Sequence, residues 1–305
     1  MPEFAPLPPT TWGHHQLAWG ERTWVMGILN ITPDSFSHDG VALERLSTTQ
    51  VVQAALEHAQ RMVADGADMI DVGGESTRPA TVDLPPLPPE VERERVVPVI
   101  AALARELPRD ILISIDTYKA SVAEAALDAG AHIVNDIWGL RADPEMAHLL
   151  AEREIPIVLM SNLRGQIRRE PMADVMRQLS GSLDVALHAG IAWERIIIDP
   201  GFGFGLRGEE NLRVMARLSE LRALGRPLLV GTSRKSYVGE VLGGVPVSDR
   251  VDGTAATVTL CIAQGADIVR VHDVKQMARV ARMTDSVTRG WRGYQQARPT
   301  SGSGQ

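Results

Sequence analysis

The stretch "DGADMIDVGGESTRP", residues 65–79, contains the unit from which the rest of the chain is built. Gly66 reads as the end of a helix, because glycine readily takes the left-handed backbone that terminates one. A short apolar run follows, "MIDVGG" at 69–74, and then a polar loop. The same order returns in "AGAHIVND" (129–136) and "QGADIVRV" (264–271), and Gly190 in "HAGIAWERIIID" plays the part of Gly66, Gly130 and Gly265. Helix-to-strand loops favour this chemistry by themselves, so the repeat needs no functional meaning.

Working outward, eight apolar runs appear. They are "WVMGILN" (24–30), "MIDVGG" (69–74), "ILISIDT" (111–117), "HIVNDI" (132–137), "PIVLMS" (156–161), "IIIDPG" (196–201), "PLLVGTS" (227–233) and "IVRVHD" (268–273). Between them, segments such as 48–65, 209–224 and 274–289 carry apolar residues at helical spacing. Continuous apolar runs suit strands covered on both faces, as in a parallel sheet. Such alternation admits an open doubly wound sheet or a closed barrel. Eight units of about 33 residues over residues 24–289 predict the α/β class and a (β/α)8 TIM barrel, near its usual ~250 residues. The domain plan is an N-terminal extension at 1–20, disordered in part, one barrel at 21–290 and a disordered tail at 291–305. The proline-rich segment 78–90 reads as a loop, since strands continue on both sides.

Composition narrows the class. The 305 residues are 44% hydrophobic and 23% charged, the profile of a globular chain. A net charge of −7 argues against a broad basic surface for nucleic acid, but leaves room for a local cationic pocket. The single cysteine, Cys261, sits in the apolar "TVTLCIAQGA" and reads as a packed thiol in a reducing compartment. No run reaches membrane-spanning length, and "MPEFAPLPPTTW" lacks the pattern of a signal peptide. A cytoplasmic protein is expected, with no membrane partner.

Function is read from position. The strands end on Asn30, Asp116, Asn135 with Asp136, Ser161 with Asn162, Asp199, Lys235 just beyond the seventh, and Arg270 with His272. The second strand contributes the loop "GGESTRP". In a parallel barrel these ends share one rim, where active sites are built. Isolated polar residues such as Asp143 or Ser180 read instead as helix N-caps. Asp116, Asn135 and Asp199 suit a neutral heterocycle with several N–H donors, or else carboxylates paired with neighbouring Arg or Lys. Arg78, Lys235, Arg270 and His272, with Asn30, form a cationic group suited to phosphate. Arg270 and His272 are two apart on one strand and point the same way; Arg234 is expected to be solvated. The glycines of "DPGFGFG" (199–205) do not fit a dinucleotide fingerprint. No Cys/His cluster suggests zinc, so a labile Mg2+ recruited by phosphate and a strand-end amide is the expected metal.

Together "GILNITPDSFS", "DVGGESTRP", "IDTYK", "IVNDI", "DPGFGFG", "VGTSRKS" and "RVHD" resemble dihydropteroate synthase, in family order from about residue 25 to 277. The resemblance implies a TIM barrel, usually a homodimer. It would join p-aminobenzoate to 6-hydroxymethyl-7,8-dihydropterin pyrophosphate, with Mg2+ required. It assigns the pterin to Asp116, Asn135, Asp199 and Lys235, with Met160, Phe204 and Gly231 lining the slot. Asn30 would meet metal and pyrophosphate, and Arg78, Arg270 and His272 would hold phosphate. Phe36, Ser37, Thr77, Arg78 and Ser236 would surround p-aminobenzoate, and Asn30, Asp116, Lys235 and Arg270 form the implied catalytic set. Two positions depart from the family pattern: His38, followed by Asp39, stands where an acid is usual, and Ser161 where a histidine is usual. A methyltetrahydrofolate-dependent methyltransferase shares barrel and slot but has no use for "TSRKS", "RVHD" and "STRP" as a pyrophosphate site. A pterin-binding paralogue without synthase activity is the other alternative.

Overall fold

The computed structural model of the chain describes residues 7–32, 47–76, 86–166 and 170–291. Two short antiparallel strands, β1 (Thr10–Trp12) and β2 (His15–Leu17), precede eight parallel ones. These are β3 (Trp24–Asn30), β4 (Met69–Gly73), β5 (Leu112–Asp116), β6 (Ile133–Asp136), β7 (Ile157–Met160), β8 (Ile196–Asp199), β9 (Leu229–Val230) and β10 (Ile268–Val271). They lie in the order β8-β7-β6-β5-β4-β3-β10-β9. Ile198 bridges Leu228 in parallel and its N–H donates to Pro227 O at 2.9 Å, which closes the sheet into a barrel. Each of the eight apolar runs supplies one barrel strand.

The helices are α1 (Thr48–Ala64), α2 (Pro89–Glu106), α3 (Ala120–Asp128), α4 (Glu145–Arg153), α5 (Pro171–His188), α6 (Gly208–Ala216), α7 (Ser236–Val241), α8 (Val251–Ala263) and α9 (Val274–Thr288). In α1, Ser47 and Gln50 satisfy each other's backbone N–H groups in a capping box, and Val51, Ala55, Ala59 and Met62 form the buried stripe. Gly66, just past the helix, has φ +108°, and Gly130, Gly190 and Gly265 take the same left-handed role. Cys261 is buried in α8.

The barrel interior is layered. Met26, Met69, Leu112, Ile133, Val158, Ile197, Leu229 and Ile268, one from each strand, join in an apolar cluster low in the barrel. Trp12, Leu17 and Trp19 pack into that cluster, so the β1–β2 hairpin plugs the floor. Trp19 Nε1 donates to Thr10 Oγ1 at 3.2 Å, and Thr10 Oγ1 donates to Glu194 O. Residues 10–19 fall outside the barrel expected from sequence, because their scattered aromatic residues, just after a proline-rich start, show no strand or helix period.

Side chains of a strand return to the same face every second residue. Two residues above the floor layer therefore stand Ile28, Asp71, Ser114, Asn135, Met160, Asp199, Gly231 and Arg270. A further step reaches Asn30 and Asp116 at their strand ends and His272 just past β10. One register thus turns an apolar floor into a polar rim.

Candidate active site

Arg270 organises this rim. Its Nε donates to Asp71 Oδ2 at 2.6 Å and its Nη2 to Asp116 Oδ2 at 2.6 Å. Asn135 Nδ2 donates to the same Asp71 oxygen at 3.1 Å. Asp71 was missed because the sequence reading took only strand ends, and this acid lies inside "MIDVGG". Counting by two from Met69 would have found it. Burial works against charge on Arg270, yet Asp71 and Asp116 raise its pKa further above the ordinary arginine value. Burial raises the Asp116 carboxyl well above the usual range, against the pull of Arg270. Of the two sequence-based readings of Asp116, the structure shows the carboxylate paired with a neighbouring arginine.

Asp199 is 5% exposed, and its Oδ1 accepts from Gly201 N at 2.7 Å. Burial lifts its pKa to about 6. Lys235 interacts electrostatically with Asp199, and its ammonium lies 4.3 Å from the centre of the Phe204 ring. Burial, reinforced by Arg270, lowers its pKa to about 8. Arg164, which the sequence reading passed over, lies 4.5 Å from the same ring centre. Phe204 joins Met160 and Ile137 in a buried cluster bordered by Tyr118 and Trp138. This apolar platform is larger than the expected Met160, Phe204 and Gly231: it adds Ile137, the last residue of the run "HIVNDI", and Tyr118 and Trp138 from loops with no helical or strand period. A Cβ placed on Gly231 meets nothing within 4 Å, so space is open there.

The "DPGFGFG" loop owes its glycines to close approach. Gly201 has φ +73°, and a Cβ there would fall 1.8 Å from Ser161 O. Gly203 has φ +78°, with the Lys235 Cδ 3.1 Å from the Cβ position.

His272 differs from its expected cationic role. Its backbone N donates to Ser233 Oγ at 3.2 Å, while that hydroxyl lies 3.0 Å from Nδ1. The hydroxyl can accept from the backbone N–H and either donate to Nδ1 or accept from it, so both neutral tautomers suit the contact. Burial and the nearby Arg234 lower its pKa to about 3, so His272 is a neutral imidazole at neutral pH. Arg234 is not solvated as expected. It grips Asp273 through Nε at 3.0 Å and Nη2 at 2.6 Å, and takes φ +59°.

Three polar strand ends serve the scaffold instead of the pocket. Asp136 accepts from Trp138 N at 2.8 Å and Leu140 N at 2.7 Å. Asn162 Nδ2 donates to Ile137 O at 3.1 Å. Ser161 Oγ donates to Gln178 Oε1 at 2.7 Å, which occupies the hydroxyl at the position where the family pattern has histidine. Asp143 stands one place before Pro144, the N-cap of α4, and accepts from the first N–H groups of two helices, Glu145 N at 3.1 Å and Ala120 N at 2.8 Å, whereas Ser180 lies inside α5. Ser236 is exposed at the start of α7. Phe36, Ser37, His38, Asp39, Thr77 and Arg78 lie outside the described residues.

For a cation, the described residues contain no group of three or more His, Cys, Asp or Glu side chains that could hold one. Asn30 offers an amide oxygen at the end of β3, 3.4 Å from the Cβ position of Gly73. A single hard oxygen donor fits Mg2+, which keeps much of its water.

Known proteins share this fold and much of this sequence. The family described as pterin binding enzyme matches residues 26–272. A dihydropteroate synthase of Bacillus subtilis is 48% identical over 271 residues, 89% of this chain and 90% of that one. The solved dihydropteroate synthase of Clostridium difficile, in the presence of pteroic acid, superposes with a TM-score of 0.81 at 46% identity, covering 89% of this chain and 98% of that one. That of Xanthomonas albilineans in complex with 7,8-dihydropteroate gives 0.81 at 36% identity over 92% and 98%.

Proposed function

The chain belongs to the pterin binding enzymes and, among them, to the dihydropteroate synthases, and we propose that its rim joins p-aminobenzoate to 6-hydroxymethyl-7,8-dihydropterin pyrophosphate. The observation that carries this reading is the inward register. It sets Asn135, Asp199, Gly231 and Arg270 at one level around an apolar platform, with Asp116 one step above. Asn135 Oδ1 is buried and makes no hydrogen bond within the protein, as expected of an acceptor facing a ring N–H.

In this reading Asp116, Asn135 and Asp199 accept from the pterin, Lys235 donates to its ring acceptors, and Met160, Phe204 and Gly231 shape the slot. Arg270, the neutral imidazole of His272, and Arg78 hold the pyrophosphate. Phe36, Ser37, Thr77, Arg78 and Ser236 surround the arylamine. The C–O bond from the pterin methylene to pyrophosphate breaks, the amine nitrogen forms the new C–N bond, and that nitrogen releases a proton. Positive charge develops on the pterin side, where Asp116 and Asp199 stabilise it; negative charge develops on the leaving group, where Arg270 and His272 do. The arylamine is uncharged at neutral pH and needs only positioning. Asn30 would hold Mg2+ together with phosphate oxygens, and the ion would neutralise charge on the leaving group.

Among the described residues no helix is long and apolar enough to cross a membrane. The reading includes a cytoplasmic location and a homodimer, supported by the single cysteine and the family resemblance. It is tested by pyrophosphate release with both substrates, with and without Mg2+. Release that requires both substrates is expected. Pterin binding without release would make the chain a binding protein, and methyl transfer from methyltetrahydrofolate would make it the other enzyme.

A further inference from the structure

We propose that Asp71 is a positioning residue that sets the hydrogen-bond polarity of the pterin slot and couples it to the phosphate side. Its one carboxylate fixes which edge of the Asn135 amide and which edge of the Arg270 guanidinium face a ligand. The inference rests on the function proposed above.

Asp71 is 0% exposed, one inward layer above the floor. Its Oδ2 accepts from both Asn135 Nδ2 at 3.1 Å and Arg270 Nε at 2.6 Å. A carboxylate only accepts, so the Asn135 amide must turn its nitrogen to Asp71 and leave Oδ1 toward the slot. An amide without such a partner could present either edge, and a ring N–H would meet a donor half the time. The same oxygen holds the guanidinium plane: Asp71 engages Nε and Asp116 engages Nη2, which leaves Nη1 for a phosphate oxygen. Ser114, the neighbouring inward residue on β5, cannot substitute, because a hydroxyl both donates and accepts and would not select the amide edge.

A residue that merely neutralised Arg270 would look alike in a single mutant, so the test is a double-mutant cycle. Asp71→Asn keeps the shape and removes the acceptor-only character. Binding of 6-hydroxymethyl-7,8-dihydropterin, without its pyrophosphate, is measured by calorimetry in the wild-type and Asn135→Ala backgrounds. Asp71→Asn is expected to weaken binding about tenfold or more in the first and at most about twofold in the second. Equal factors in both backgrounds overturn the proposal and leave the function standing. A wild-type protein that binds no pterin overturns both.

Asp71→Asn removes a buried counter-charge and can fail to fold, so a second measurement uses the wild type. The side-chain amide protons of Asn135, assigned by their loss in Asn135→Ala, are expected to exchange slowly with solvent, because the nitrogen is held against buried Asp71. Exchange like that of an exposed asparagine overturns the proposal.

Discussion

Nη2 of Arg270 lies 2.6 Å from Oδ2 of Asp116, although 154 positions separate them in the chain. A residue expected to hold phosphate and one expected to hold pterin therefore restrain each other before either ligand arrives. Removing Arg270 outright would leave Asp71 and Asp116 without their counter-charge, at a cost of about 3–5 kcal/mol. Arg270→Lys is the cleaner probe, since it keeps the charge and loses the fork. It is expected to weaken inorganic pyrophosphate by about 1.5–3 kcal/mol while hardly changing the binding of a pterin that lacks pyrophosphate. Equal loss for both ligands would make Arg270 structural.

Asp199 predicts the acid side of the pH profile. It accepts from pterin N–H groups only as a carboxylate, and its pKa in the free protein is raised to about 6. Protonation removes the acceptor, so affinity should fall about tenfold per pH unit as pH drops below that value. Asp199→Asn should bind weakly at every pH and keep only the shallower dependence set by Asp116, whose pKa is raised to about 7. Calorimetry between pH 5 and 8 checks both; a wild-type affinity that is flat across the range would remove Asp199 from the slot.

Lys235 predicts the basic side. Its ammonium must be charged to donate strongly, and its pKa is lowered to about 8, so kcat/KM should decline above that pH. Lys235→Arg stays charged and should lose this limb. Lys235→Ala should lose roughly 10–100-fold in kcat/KM, the scale of one charged hydrogen bond, with the fold intact by circular dichroism. Near-normal turnover would contradict the assignment.

Gly201→Ala should be strongly destabilising. The new methyl would meet Ser161 O at 1.8 Å in a backbone with φ +73°. Two named causes, overpacking and a left-handed conformation, together suggest a loss of about 2–4 kcal/mol, read from denaturant unfolding. Gly13→Ala, in a turn where a Cβ meets nothing within 4 Å, should lose less, and a similar loss at both would point to φ alone.

The eight strands were legible because both of their faces are buried, which writes each as an unbroken apolar run. Asn30, Asp116, Asn135 and Asp199 were legible because each interrupts or ends such a run. Asp71 was less so: it is one acid among apolar neighbours, and its partners are 64 and 199 positions away. The neutrality of His272 and the pairing of Arg234 with Asp273 depend in the same way on contacts 39 positions apart, which no local pattern encodes.

The floor plug also orders events in time. Residues 10–19 leave the ribosome before every barrel strand, yet Thr10 bonds to Glu194, 184 positions later, and Trp12 and Trp19 share an apolar cluster with side chains as late as Ile268. Their lodging place does not exist until β10 has been made and the ring of strands is complete. Through most of synthesis these aromatic rings are apolar surface in search of a partner, the kind of segment on which chaperones act. This stretch is thus made before the strands that complete its seat, and its full set of native contacts requires the closed barrel.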